Sequence, residues 1–246
     1  MNTNLNIISI IPARGGSKSI KNKNIVKIKS KPLIYYSIKQ SLSSKFIQRT
    51  IVSTDSKKIK LIAKKLGAEV PFLRPKSISK NYSKDYSFFL HLINWLKKKE
   101  NFKPDLIVQL RPTQPFRNVT FIDKAIKLMI NDINADSLRS ISVPERTPFK
   151  MWKIKKGYLE YLFKNSDAYK NEFFNKDRQS LPKIYWHDGK VDIVRYKTLI
   201  KYKNVFGKKI KYILSKSKYL IDIDDKKDLE MLNILIKKKL IKLDDN

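Results

Sequence analysis

Two groups of residues in this chain have the types and the spacing for phosphate chemistry. The first is Ile11-Pro12-Ala13-Arg14-Gly15-Gly16-Ser17-Lys18, with Lys23 and Asn24 close behind. Glycines let backbone N–H groups approach an anion closely, and Arg14, Lys18 and Lys23 add positive charge suited to a polyphosphate. The spacing is neither that of a Walker A loop nor that of a dinucleotide fingerprint. From the residues alone, the stretch is a phosphate-binding loop of another kind or a basic surface turn. The second group is Asp222 and Asp224. Residues two apart on a strand point to one face, so these carboxylates can converge on one hard cation. Mg2+ commonly takes one or two carboxylates together with substrate phosphates. The competing role is helix capping, because Asp224, Asp225 and Asp228 precede or open the last helix.

The elements that must position these groups alternate in type. Leu5–Ile11 is a continuous apolar run rich in β-branched residues and predicts a buried parallel strand. The first loop then lies at a strand's carboxyl end, where open α/β sheets bind their ligands. Leu33–Leu42 reads as a helix with Pro32 at its first turn, and Thr50–Ser53 as a second strand. Lys57–Leu66 reads as a helix capped by Ser56 and ended by Gly67. Asp85–Lys99 is an amphipathic helix with Phe88, Phe89, Leu92, Ile93 and Leu96 on one face, where His91 reads as a packing residue. Strand Leu106–Leu110, helix Val119–Ile130 and strand Ser137–Val143 follow. This rhythm predicts an α/β fold: a Rossmann-like, mostly parallel sheet with helices on both faces. After Pro144 the rhythm breaks. Residues 145–187 are rich in aromatics and read as a small β-rich insertion within a single domain spanning 1–246. The rhythm resumes with strands at Val191–Val194, Lys211–Leu214 and Tyr219–Asp224 and a closing helix at Lys226–Lys239.

The absence of cysteine excludes disulfides and thiolate metal sites. No apolar run approaches the ~20 residues of a membrane span. No basic n-region precedes the first apolar stretch. The expectation is a cytoplasmic protein with no membrane partner. The net charge of +32 invites a nucleic-acid reading, but only nine of the 54 basic residues are Arg. The lysines are spread along the chain with abundant Ile and Asn, a pattern of biased codon usage and not of a clustered, Arg-rich patch. The expectation is therefore no nucleic-acid partner, with the charge instead concentrating anionic substrates around the protein.

The string I-P-A-R-G-G-S-K-S-I-K-N-K-N-I resembles the N-terminal signature of the acylneuraminate cytidylyltransferases, the CMP-sialic acid synthetase family, which runs roughly I-P-A-R-x-x-S-K-x-I-x-x-K-N. The resemblance implies that this loop holds the triphosphate of CTP. Arg14, Ser17 and Lys18 would contact phosphates, with Gly15 and Gly16 giving the backbone room. Lys23 would lie beside the reacting α-phosphate and Asn24 against the nucleotide. Val52-Ser53-Thr54-Asp55 is similar to the family's V-S-T-D; Asp55 positions a lysine or sugar hydroxyl, or is a turn and cap residue. Leu73-Arg74-Pro75 is similar to an R-P element, which implies that Arg74 lies near the phosphates. Ile78, Ser79 and Asn81 then stand where the family has L-A-x-D, so the aspartate is missing.

Leu110–Arg117 resembles L-Q-P-T-S-P-L-R, implying sugar-side roles for Arg111, Thr113 and Gln114. Arg111 replaces a glutamine of many members and suits a carboxylate; Arg117 reads as structural, paired with a buried carboxylate. Arg178-Gln179-Ser180-Leu181-Pro182 resembles R-Q-D-L-P, implying that Arg178 and Gln179 bind the acidic sugar near a dimer contact. His187-Asp188-Gly189 departs from the family's N-G-A-I-Y-I, leaving His187 as a donor to the sugar or a turn residue. Leu220–Asp224 is similar to I-D-x-D, implying Mg2+ on Asp222 and Asp224.

The implied reaction is an in-line displacement at the α-phosphorus of CTP by the anomeric hydroxyl of an acidic 2-keto sugar, a nonulosonic acid, with pyrophosphate leaving. Lys23, Arg14, Asp222 and Asp224 form the implied catalytic set. No side-chain base stands out, so a metal-bound water or hydroxide is the expected base. The resemblance also implies a nucleotide-diphospho-sugar transferase type of fold and a homodimer, with the insertion serving dimerisation and sugar binding. A 3-deoxy-manno-octulosonate cytidylyltransferase is the neighbouring alternative, disfavoured by the start of the first loop. A basic nucleic-acid-binding protein is the alternative from another class.

Overall fold

The computed structural model describes residues 5–216 and 221–241. The described residues form two compact units, one running to Ser140 and resuming at Asp188, the other spanning Ile141–His187. In the first unit, β1 (Ile7–Pro12) leads through the first loop, with a 3-10 turn at Lys23–Ile25, to a two-residue ribbon of β2 (Lys27–Ile28) and β3 (Lys31–Pro32). Then come α1 (Leu33–Leu42), β4 (Arg49–Ser53), α2 (Lys57–Lys65), α3 (Asp85–Glu100), β5 (Leu106–Gln109), α4 (Val119–Asn131) and β6 (Ser137–Ser142).

The central sheet has the order β10-β6-β9-β5-β1-β4, where β9 is Trp186–Arg195 and β10 is Ile210–Leu214. β1 lies parallel to both β4 and β5, while β9 runs antiparallel to β5. The expected mostly parallel α/β sheet is present, and β9 enters it in the opposite sense. The alternation along β1 shows why the sheet is covered twice. Ile7 and Ile11 pack with α1, α2 and α4 residues such as Ile34, Ile59 and Ile126. Ile8 and Ile10 pack on the other side with Phe89, Leu92 and Leu96 of α3 and Leu199 of α6 (Tyr196–Tyr202). Each such buried Ile or Leu contributes about 1.5–3 kcal/mol. His91 packs edge-on against Phe72, ring centroids 4.4 Å apart, as expected of a packing residue.

A third cluster ties the C-terminal helix α7 (Lys226–Lys237) to the first loop. Ile20, Ile28, Leu33 and Tyr36 pack with Ile221, Ile223, Leu232 and Leu235. The expected strand Tyr219–Asp224 is corrected here. Residues 217–220 lie outside the described residues, and 221–224 belong to no strand. Among the described residues, their one backbone-to-backbone link to another strand or loop is Ile223 N–H to the carbonyl of Thr113 at 3.0 Å. The apolar–acidic alternation survives nonetheless: Ile221 and Ile223 are buried while Asp222 and Asp224 are exposed. Pro32, expected in the first turn of α1, instead stands just before it in extended conformation.

The second unit contains the hairpin β7 (Trp152–Lys155) and β8 (Tyr158–Tyr161) and the short α5 (Asp167–Lys170); α5 and α6 were not expected from the periodicity. Lys156 and Gly157 both have positive φ in the hairpin turn, the conformation that matches the twist of paired strands. Tyr161, 2% exposed, is ringed by Trp152, Phe163, Tyr169 and Phe174. Among the described residues, no helix is long and apolar enough to cross a membrane.

Candidate active site

At the carboxyl ends of β1 and β5 lies a cleft of about 250 Å3. Arg14, Ser17, Lys23, Asn24, Arg74, Arg111 and Thr113 all line it, with Lys80, Asn81, Asp85, Phe88 and Gln109. The fold thus gathers residues from three separated stretches around one opening. Lys18 is exposed and is not among the lining residues.

The loop's internal bonding differs from the simplest expectation. The Gly15 amide, expected to face an anion, donates to Asp55 Oδ1 at 2.7 Å. A Cβ on Gly15 would meet Ser56 Cβ at 2.9 Å, so close packing against the start of α2 demands glycine there. A Cβ on Gly16 would meet nothing within 4 Å, and its carbonyl accepts from Arg14 at 3.3 Å. Asn24 is buried and donates to the Arg14 carbonyl at 2.9 Å, so it staples the loop from below. Arg14 donates to Asn81, the residue standing where the resemblance expected other chemistry. Arg74 is buried, donates to Ser53 Oγ at 3.0 Å and lies 5.0 Å over the Phe88 ring; burial pulls its guanidinium down to about 10.

The acidic pair meets this loop. Lys23 Nζ lies 2.9 Å from Asp224 Oδ1 and donates to the Ile223 carbonyl at 2.8 Å. Ser19 Oγ donates to the Asp224 carbonyl. Helix capping falls to other residues. Asp225 accepts from the amides of Lys227 and Asp228, and Asp228 from those of Asp224 and Asp225, a closed capping box. The side chains of Asp222 and Asp224 are therefore left out of the cap. Although Asp222 is exposed overall, desolvation by the protein around its carboxyl raises it above its ordinary value; hydrogen bonds from Thr113 and Gln114 oppose this, and the Asp224 charge adds to it. A carboxyl whose ionisation is disfavoured by a neighbouring carboxylate suits a cation between the two.

Thr113 and Gln114, read as sugar contacts, lie with their side chains against the Asp222 carboxyl. Arg111 lines the cleft, but its guanidinium is taken by Asp85 at 3.0 Å and by Asp192, which is 1% exposed. Burial works against its charge and the two carboxylates more than restore it. Among the described residues Arg117 pairs with no carboxylate, against the expectation: it donates to the carbonyls of Arg111 and Lys190 and to Ser37 Oγ. Asp188 is buried and accepts from Ser140 Oγ and the Lys190 amide. Arg178, Gln179 and His187 belong to the second unit. There Arg178 donates to the Pro144 carbonyl at 2.8 Å and lines, with Gln179, a groove of about 480 Å3. His187 is exposed on β9. Asp85 was read only as the start of a helix, yet it bonds Arg111 and Gln109 within the cleft. An acidic residue opening a helix beside the ligand-binding edge of the sheet was the available signal.

A cationic loop at the carboxyl edge of a mostly parallel sheet, joined by a lysine to an acidic pair, defines an α/β nucleotide-binding transferase. The chain matches the cytidylyltransferase family model over residues 8–241. It is 32% identical over 95% of its length to the N-acylneuraminate cytidylyltransferase of Escherichia coli O18:K1:H7, spanning about half (52%) of that relative. It is 29% identical over 94% of its length to a pseudaminic acid cytidylyltransferase of Campylobacter jejuni, covering 96% of that protein. Among solved structures, a CMP:2-keto-3-deoxy-manno-octonic acid synthetase complexed with CTP superposes with a TM-score of 0.66 at 13% identity, over 95% of this chain and 99% of that one. That likeness speaks to the fold alone. The chain belongs to the cytidylyltransferase family and is a nucleotidyltransferase.

Proposed function

We propose that the protein transfers CMP from CTP to the anomeric hydroxyl of a nonulosonic acid and releases pyrophosphate. The observation that carries this reading is the contact of Lys23, which lines the cleft, with Asp224, which joins the loop at one sheet edge to the acidic pair beside it. Family membership supplies the cytidylyl chemistry, and the relatives' named substrates supply the sugar class.

In this reading Arg14, Ser17 and Arg74 hold the triphosphate, and the Lys23 ammonium stands where charge develops on the α-phosphate oxygens. Such transfer depends on positioning and charge neutralisation, and a fixed ammonium supplies both. The Asp55–Gly15 and Asn24–Arg14 bonds keep the loop in shape, so little reorganisation accompanies substrate binding. Asp85, a carboxylate in a cationic cleft, is unsuited to phosphate and faces hydrogen-bond donors of the nucleoside instead.

Asp222 and Asp224 fit Mg2+: both side chains are exposed, oxygen-bearing, free of the helix cap, and held near each other. Among the described residues no group of three or more His, Cys, Asp or Glu suits a metal, so phosphate oxygens and water would complete the shell. When bound, Mg2+ would neutralise phosphate charge and act as a Lewis acid. Arg178 and Gln179 are the proposed contacts for the sugar carboxylate, and a homodimer the proposed assembly.

The test is pyrophosphate release from CTP against a panel of acylneuraminic, legionaminic, pseudaminic and 3-deoxy-manno-octulosonic acids. Turnover with a nine-carbon acid is expected. Turnover with the octulosonic acid alone would move the assignment to the neighbouring family, and none with any would end it. EDTA is expected to abolish turnover and excess Mg2+ to restore it.

A further inference from the structure

The first unit holds a second cavity, of about 530 Å3, that shares no lining residue with the nucleotide cleft. Its walls are Phe116, Arg117 and Asn118 leading into α4, Thr120, Phe121 and Lys124 of that helix, Lys190, and the end of β10 through Lys216. The loop after β5 divides the two: Arg111, Pro112 and Thr113 face the cleft, Phe116 and Arg117 the cavity. Among the described residues, no Asp or Glu lines it.

Two of its cations are buried, Arg117 at 2% exposure and Lys190 at 3%. Among the described residues neither forms an ion pair. Lys190 Nζ has a single partner, the neutral hydroxyl of Ser215 at 2.7 Å. An ammonium carries three donors, so two remain for a ligand. The carboxylate nearest in charge, Asp188, spends one oxygen on Ser140 Oγ and the Lys190 backbone amide and does not bond the ammonium. Arg117 satisfies its terminal nitrogens on two carbonyls and a hydroxyl, and its buried Nε has no partner. Burial lowers the affinity of both groups for their protons, and the charges of Asp188 near Lys190 and of Asp192 and Asp222 near Arg117 offset this only in part.

Buried charges in proteins are paired or bind ions, because an isolated one is costly to desolvate. The cavity adds the exposed ammoniums of Lys124 and Lys216 and the amino end of α4, a helix of 13 residues with no acidic residue in its first turn. We infer that this cavity is a second anion site, built for a multiply charged oxyanion of the phosphate class and distinct from the nucleotide cleft.

Selenate, a tetrahedral dianion with an anomalous signal, is the probe in crystals soaked together with CTP, which fills the first cleft. A peak is expected within hydrogen-bonding distance of Lys190 Nζ. In solution, inorganic phosphate at fixed ionic strength is expected to raise the Tm saturably. Lys190→Met, which keeps the bulk of the side chain, should weaken that response at least about tenfold in concentration. The exposed pair Lys124→Ala with Lys216→Ala, which leaves the core untouched, should weaken it too, while Lys23→Ala in the nucleotide cleft keeps it. Selenate peaks confined to the nucleotide cleft, or wild-type phosphate responses in the Lys190 and Lys124/Lys216 variants, would overturn the inference.

Discussion

The Lys23–Asp224 pair separates a structural from a chemical role by magnitude. Asp224 is 75% exposed, and such ion pairs contribute about 0–1 kcal/mol. Removing Lys23 should therefore shift the Tm by no more than about 4 °C for a chain of this size. If Lys23 serves the reacting phosphate, Lys23→Ala lowers turnover at least about tenfold, the equivalent of ~1.4 kcal/mol of transition-state stabilisation. Asp222→Ala is expected to do the same. Initial rates with melting curves on the same samples decide it: turnover within twofold of wild type in either variant removes that residue from the chemistry.

The turn between α6 and β10 shows how an element boundary is held. Asp136, at the start of β6, accepts the amides of Lys208 and Lys209 at 2.9 Å each. Burial opposes ionisation of Asp136, but these amides and the charges of Lys197 and Lys201 outweigh it and hold the carboxyl below its ordinary value of 3.8. A depressed carboxyl stabilises the fold above its unfolded pKa, and that contribution is lost as pH falls through the folded one. Asp136→Asn should melt below wild type at pH 7, and the gap should close in scans taken below pH 3.8. Gly207, in the same turn, has φ +71°, and a Cβ there would sit 2.3 Å from Asp136 Cβ. Gly207→Ala combines a strained backbone with that overlap and should cost about 2–4 kcal/mol, measured by urea unfolding.

Across the whole molecule, a net charge of +32 surrounds the cleft with positive potential. Anionic CTP is then drawn in at long range, and added salt screens the attraction. The kcat/KM for CTP should fall several-fold between ~50 and ~500 mM NaCl, with kcat changing less. A kcat/KM indifferent to salt would show that only the cleft's own residues matter.

The layers of the fold were legible from local chemistry. β-branched runs, helical apolar faces, Ser56 before α2 and Gly67 after it act over a few residues, and local spacing specifies them. The first loop's length and placement after β1 likewise pointed to the nucleotide end of the sheet. The partners within the site were not legible, because they come from far along the chain. Lys23 meets Asp224 across 201 positions, through the packing of Ile20 and Ile28 on Ile221 and Ile223. Arg111 looked available for substrate until the fold placed Asp85 and Asp192 against it, and Thr113 and Gln114 until it set Asp222 beside them. Periodicity decides which face of an element is apolar; only the tertiary packing of those faces decides which polar side chains meet.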